Sequence, residues 1–390
     1  MPVVRVSHSE LSPDAEMMQR LPAVLTPLDI ARRLLLDRVG PVEPIDVLLS
    51  DSVGRIAAEN APRREAFPVS SVATADGWAL SSGDIAGASS YSPVMLAGPP
   101  VWVEAGHRLP DGCDCVLDLD MVEQSGPLFQ VLAEVAPGHG VRRAGEDIAA
   151  GRAILASGQR VSLRDKLVLG VMGLEHIRIR SPRVVVIDVG STEGETASSQ
   201  FVLEFLKSAG ASATLIRAKG RDAVNIAASL REPVCDLMIM VGGTGSGRTD
   251  ATILALAKCG KVLAHGLAIQ PGRTAAIARI GAAPVIAVPG LPDQALAICL
   301  MLVQPILDVL LARLPREKIV RPLARKISSP IGVTELVLLE ARDDAWMPIA
   351  GGQLSLDAIM RGDAWLAVPA DSEGYAAGTM VGAFSLHGTM

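Results

Sequence analysis

Residues 235–260 read CDLMIMVGGTGSGRTDATILALAKCG. The run 237–241 is apolar and of the length of a buried strand. It gives way to Gly242, Gly243, Thr244, Gly245, Ser246 and Gly247, and then to ATILALAK. There Ile253, Leu254 and Leu256 set a helical stripe that Gly260 closes. Asp250 stands where the helix N-cap is expected, its carboxylate accepting the free N–H groups of the first turn. Strand, glycine loop and helix N-terminus together make a place where backbone N–H groups can surround a phosphate. The same pattern also serves as a plain strand-to-helix turn in α/β proteins. The spacing approaches a P-loop, with four residues between Gly242 and Gly247, followed by Arg248 and Thr249. Arginine, however, replaces the lysine, and a planar guanidinium is not interchangeable with a compact ammonium. No G-x-G-x-x-G dinucleotide pattern is present.

Outward from this stretch, RVVVIDVG (183–190), ATLIRA (213–218) and APVIAVPG (283–290) join DLMIMVGG (236–243) as strands. Helical patterns over 197–209, 222–230, 251–258 and 293–314 alternate with them. This βαβα rhythm predicts a multi-domain α/β protein whose main domain is a doubly wound, mostly parallel sheet. Ligands then sit at the carboxyl ends of the strands, so the loops after Val189, Val241 and Val288 share one rim. Residues 1–25 read as a loosely ordered leader, and a helix starts at Thr26-Pro27, with Thr26 as cap, and ends near Gly40. Short apolar runs between Gly and Pro turns give 62–138 a β texture. Strands at 333–341 and 365–370 follow a basic connector. The expected division is an N-terminal linker/helical domain (1–60 and 139–180), an inserted β-rich domain (61–138), the α/β domain (181–315) and a small C-terminal β domain (316–390).

The bulk numbers narrow the function. With 49% hydrophobic, 20% charged and 3% aromatic residues over 390 positions, cores must be built from Val, Leu, Ile and Ala. A net charge of −6 argues against a nucleic-acid or membrane-surface role, while leaving room for a local basic pocket. The five cysteines (113, 115, 235, 259, 299) form neither a disulfide framework nor a metal-ligand set, and the six histidines lack zinc-ligand spacing. Reduced thiols, no signal-peptide pattern and no uninterrupted transmembrane run lead to the expectation of a cytoplasmic protein.

The order of the pieces resembles the molybdopterin molybdenumtransferase family, called MoeA in bacteria and represented in animals by the gephyrin E domain. TADGWAL (74–80) is similar to its M-D-G-Y-A segment, and VRRAGEDIAAG (141–151) to its R-x-x-G-E-D-I-x-x-G turn. VGGTGSGRTD (241–250) resembles S-G-G-x-S-x-G-x-x-D, and 269–292 resembles P-G-K-P…L-P-G-N-P. GGQLSLDAIMRGDAWLAVP (351–369) looks like the last β domain. The likeness runs from about Pro27 to the C-terminus.

The resemblance implies insertion of molybdate into adenylylated molybdopterin with release of AMP, assisted by Mg²⁺, in a homodimer whose site is shared between subunits. Carried over by motif, Asp76, Asp250 and Arg273 are the catalytic candidates, with Asp76, Asp250 and Glu193 as metal ligands. Asp76 also reads as a turn residue with Gly77. Gly242 to Gly247, together with Pro271, Gly272, Pro289 and Gly290, would border the molybdopterin. The chain departs from the family where Ser191 and Thr192 stand for the acidic pair of T-G-D-E-L and Arg273 for the lysine of P-G-K-P. Thr274 replaces that motif's last proline, and Ala73 and Ala75 replace the Ser and Met of S-A-M-D-G-Y-A. A non-catalytic molybdopterin-binding paralogue or scaffold is the alternative reading. A P-loop nucleotide enzyme is the third, and it is strained because Asp188 precedes the glycine loop.

Overall fold

Alternation along strands of Val and Ile decides how the main sheet is covered. In a computed structural model, described for residues 19–62, 65–190, 195–231 and 234–387, Val184 and Val186 enter one apolar core while Val185 and Ile187 enter another. Leu237, Ile239 and Val241 follow the first pair, and Met238 and Met240 the second. Side chains of a strand point to opposite faces, so a run apolar at every position must be covered on both.

We number the strands of this sheet β1 (Arg183–Asp188), β2 (Ser212–Arg217), β3 (Leu237–Val241), β4 (Lys261–His265), β5 (Ala276–Ile280) and β6 (Ala283–Val288). Its helices are α1 (Ala197–Ser208), α2 (Ala223–Ser229), α3 (Thr252–Cys259) and α4 (Pro292–Ile298). The strand order is β2-β1-β3-β6-β5-β4. β1 pairs in parallel with β2 and β3, and β3 with β6. β5 and β4 then run antiparallel at one edge. Val202, Phe205 and Leu206 of α1 cover one face, together with the residues of α4 and its continuation. Ile226 and Ala227 of α2 and Ala255 and Leu256 of α3 cover the other. The chain therefore has the doubly wound α/β sheet expected of it, with an antiparallel edge pair that its sequence pattern did not reveal.

Contacts divide the chain into two units. One holds the described parts of Met1–Glu59, Ser157–Lys166 and Glu175–Met390, and the other those of Asn60–Ala156 and Leu167–Leu174. The second is β-rich, with Gly77–Leu80 between Val101–Val103 and Cys115–Leu117 in one of its sheets. The first unit also contains a terminal sheet in the order Ile269–Gln270, Thr334–Arg342, Ala364–Val368, Met380–Ser385, Ile319–Pro322. Ile269–Gln270 pairs in parallel with its neighbour, Ile269 facing Thr334 and Gln270 facing Glu335.

Three local expectations need correction. The first helix is Leu28–Leu36 with Pro27 at its N-cap, so Thr26 does not cap it and it stops short of Gly40. Thr26 instead bridges to Leu267. The pattern over 293–314 resolves into α4, a wider turn at Cys299–Val303 and the helix Gln304–Leu310. The span Pro292–Leu310 is long and apolar enough to cross a membrane by composition, but Ala297, Cys299, Met301 and Val303 are fully buried in this core.

Gly260 joins α3 to β4, and a Cβ there would stand 2.2 Å from the Arg279 carbonyl oxygen. Gly260→Ala is expected to destabilise the protein by about 1–3 kcal/mol, because β5 must move aside. Gly40→Ala, where a Cβ meets nothing within 4 Å, should stay within about 0.5 kcal/mol. Urea unfolding of both variants checks the contrast.

Candidate functional site

At the carboxyl ends of β1, β3 and β6 the backbone turns at Gly190, Gly242 and Gly290. The turns pack closely: a Cβ on Gly242 would lie 3.1 Å from the Gly190 Cα, and one on Gly290 3.6 Å from the Gly242 Cα. Val189 N–H donates to Val241 O (2.9 Å) and Gly242 N–H to Val288 O (2.9 Å), so the ladder continues into the turns. The loops after Val189, Val241 and Val288 thus share one rim.

Asp188, 1% exposed, organises the first turn. Its carboxylate accepts from Gly190 N (2.9 Å), Thr196 N (2.8 Å) and Ser199 Oγ (2.9 Å). A buried carboxylate is stable where such donors surround it. Thr196 caps α1, accepting from Ser199 N at 3.2 Å. Sequence reasoning noted Asp188 only as a strand acid, and the spacing D-x₇-T-x₂-S is the signal that could have found the network.

The glycine loop has a buried half and an exposed half. Gly242, Gly243 and Thr244 are buried, whereas Ser246, Gly247, Arg248 and Thr249 are exposed. Gly243 has φ +67°, and a Cβ there would meet Thr252 Oγ1 at 2.6 Å, so only glycine fits. Thr252 Oγ1 donates to Gly242 O at 2.8 Å. Thr244 Oγ1 lies 3.0 Å from Thr274 Oγ1, which ties the loop to the turn carrying Pro271, Gly272 and Arg273. His265 Nε2 lies 3.1 Å from Thr244 O, and since a carbonyl only accepts, Nε2 carries the proton. Burial lowers the pKa of this imidazole, opposed by that hydrogen bond.

Asp250 is not the N-cap of α3. The cap position is Ala251, and the helix begins at Thr252 without a side-chain cap from its own loop. Asp250 instead accepts from Gly247 N (3.2 Å) and pairs with Arg221 (3.4 Å), whose other nitrogen donates to Gly190 O (3.2 Å). The helix is capped from afar. Gln19 Oε1 accepts from Ile253 N at 3.1 Å, and Gln19 Nε2 donates to Gly243 O at 2.9 Å and to Gly245 O. Gln19 is only 4% exposed, so this end of the expected loose leader is locked in place. Nothing about a single glutamine in a polar segment signals such a role.

The turn 271–274 borders a cleft of about 880 Å³ within the first unit, lined also by Leu291, Gly351 and Gly352. Pro271 and Gly272 are buried and Arg273 is exposed. Pro289 is buried at the end of β6, with Gly290 exposed beyond it. Asp76 belongs to the second unit, where its carboxylate accepts from Ala105 N at 2.8 Å, a residue 29 positions along the chain and not in its own turn with Gly77. Glu193 lies outside the described residues, as do Ser191 and Thr192. Among the described residues no group of three or more His, Cys, Asp or Glu side chains comes together to hold a metal ion.

Comparison with known proteins fits this geometry. The family described as "MoeA N-terminal region (domain I and II)" matches residues 26–173. That described as "Probable molybdopterin binding domain" matches 165–309. A molybdopterin molybdenumtransferase of Synechococcus elongatus is 26% identical over 80% of this chain and 87% of its own length. Molybdopterin molybdenumtransferase 2 of Mycobacterium tuberculosis is 25% identical over 70% and 77%. The crystal structure of a molybdopterin biosynthesis MoeA protein from Pyrococcus horikoshii superposes with a TM-score of 0.70 at 25% identity, covering 93% of this chain and 99% of that one.

Replacing Gln19 tests the distant cap. Gln19→Ala is expected to lower stability by about 1–2 kcal/mol, since Ile253 N–H and the Gly245 carbonyl lose their Gln19 partner while Gly243 O keeps only Thr252 N–H. Gln19→Glu should be worse than alanine, because a carboxylate cannot donate to the two carbonyls it would face. Chemical denaturation of the two variants, compared with the parent, reads the order.

Proposed function

Because the chain belongs to the MoeA/gephyrin family of molybdopterin molybdenumtransferases, we propose that it inserts molybdate into adenylylated molybdopterin and releases AMP. The observation that carries this reading is the 3.0 Å contact between Thr244 and Thr274. It joins the glycine loop, suited to a phosphate, to the turn that presents Arg273, suited to an oxyanion. In the proposal the exposed part of the loop offers backbone N–H groups to the phosphate of molybdopterin. Gly243 lets the backbone come close, and Arg273 holds the molybdate dianion. Fixed donors of this kind act where negative charge gathers as the phosphoanhydride is cleaved. We further propose a cytoplasmic homodimer whose site is shared between subunits, as the family pattern implies.

Mg²⁺ does not fit as a resident ion of the described residues. Asp250 is already engaged by Arg221 and Gly247 N–H, and no ligand cluster forms around it. The same observation favours a second reading, a relative that binds molybdopterin without catalysing the insertion.

The two readings separate in one assay. With purified protein and adenylylated molybdopterin, addition of molybdate should release AMP, and Arg273→Ala should slow that release on the order of 10²-fold. Tight molybdopterin binding with no molybdate-dependent AMP would establish the binding-only relative instead.

A further inference from the structure

The basic connector that follows the long helical run takes no part in the reaction above. Its Arg313 and Arg316 line a pocket of about 350 Å³ within the first unit, together with Arg160, Leu314 and Phe384. The helical run Pro292–Leu310 starts beside Gly290 and is 19 residues long. At about 1.5 Å per residue, the pocket lies roughly 28 Å from the rim. The backbone that carries Arg313 is held in place. Ala312 takes φ +48°, a left-handed turn at which glycine is usual. Leu314 N–H donates to Gly158 O at 3.0 Å, and a Cβ on Gly158 would stand 2.6 Å from Ala312 O.

The acids around these arginines are already engaged or stand apart. Asp308 accepts from two nitrogens of Arg316, at 3.2 Å each, and from Gln304 at 3.1 Å. Arg160 donates to Ser208 O at 3.0 Å. Arg313 is half-buried, and its side chain has no hydrogen bond or ion pair among the described residues. It does not cap the helix it follows. Leu307 O, Asp308 O, Val309 O and Leu310 O already accept from the backbone N–H groups of Leu311, Arg313, Ala312 and Val42. Glu317 also lines the pocket, but it is exposed and forms no ion pair among the described residues. His387 is taken by Asp363 at 2.9 Å. Burial first, and then the charge of Arg316, push the Arg313 pKa down to about 10, with Asp308 opposing and Arg160 adding to the fall. A cation desolvated beside like charges is costly until an anion joins it. We propose that this pocket binds the phosphate group of a small phosphorylated molecule, with Arg313 as its principal contact. A guanidinium fork matches phosphate oxygens two at a time. A dianion also offsets more of the repulsion among three arginines than a single carboxylate would. The volume is that of a small-molecule pocket, about 300–1,000 Å³, and Leu314 and Phe384 give the rest of the ligand an apolar wall. Free phosphate presents the same oxygens, so the test must separate ion from ester.

Isothermal titration of the full chain with phenyl phosphate, inorganic phosphate and benzoate, at constant ionic strength, provides that test. The parent should bind phenyl phosphate, and Arg313→Gln should weaken it about tenfold or more, since hydrogen bonds to a charged group are lost. Arg313→Lys, which keeps the charge without the fork, should fall between the two. Arg273→Ala should leave this affinity unchanged, which separates the pocket from any anion held at the rim. Thermal unfolding controls for a folding defect: phenyl phosphate should raise the midpoint of the parent and not that of a folded Arg313→Gln variant. No binding of phenyl phosphate at millimolar concentration, or an unchanged affinity in folded Arg313→Gln, would overturn the proposal. A loss confined to Arg273→Ala would move the anion to the rim and overturn it equally. Inorganic phosphate binding as tightly as phenyl phosphate would make the free ion the occupant and overturn the ester. Benzoate binding as tightly would overturn the assignment to a phosphate.

Discussion

The constraint on which the candidate site depends is the meeting of three backbone turns at the carboxyl ends of β1, β3 and β6. A Cβ at Gly242 would sit 3.1 Å from the Gly190 Cα, a separation at which neighbours must give way. Because these turns touch, the loops that leave them cannot be placed independently. Asp188 holds the first by its donors, Thr252 holds the second through Gly242 O, and Ser198 Oγ holds the third through Gly290 O at 2.8 Å. The parallel sheet thus delivers its loops to a common rim already fixed relative to one another. Preorganisation of that kind is what a site needs if its donors are to act without rearranging.

Rigidity at the rim is completed by residues remote in sequence. Gln19 reaches the glycine loop across 224 positions, and Arg221 joins the Gly190 turn to Asp250. Both connect loops that the sheet alone would leave to find their own conformation. Gln19 also takes the N–H of Ile253, one of the groups that a phosphate at a helix N-terminus would otherwise use. The anion-binding capacity of this region therefore rests on the loop itself more than on the first turn of α3.

The scaffold was legible because its signals are local. In 183–188 and 237–241 nearly every residue is apolar, and such runs demand cover on both faces. The Gly243 position was legible for the same reason, since the glycine run marks a backbone that needs φ above zero. What escaped the sequence depends on register and distance. The antiparallel edge pair of β4 and β5 requires knowing the register, and the role of Gln19 requires a contact that no periodicity encodes. Asp250 was misread because an acidic residue before a helical stripe usually caps it. Here the helix starts two residues later, and a long-range arginine captures the carboxylate.

Charge shows how these parts work together. Around the glycine loop the acidic groups are satisfied internally: Asp188 by N–H and hydroxyl donors, Asp250 by Arg221 and Gly247 N–H. Arg248 and Arg273 are exposed, and neither has an acidic partner among the described residues. The uncompensated charge in the loop and the 271–274 turn is therefore positive, although the chain as a whole carries −6. A local field of that sign draws anions to the loop against the net charge.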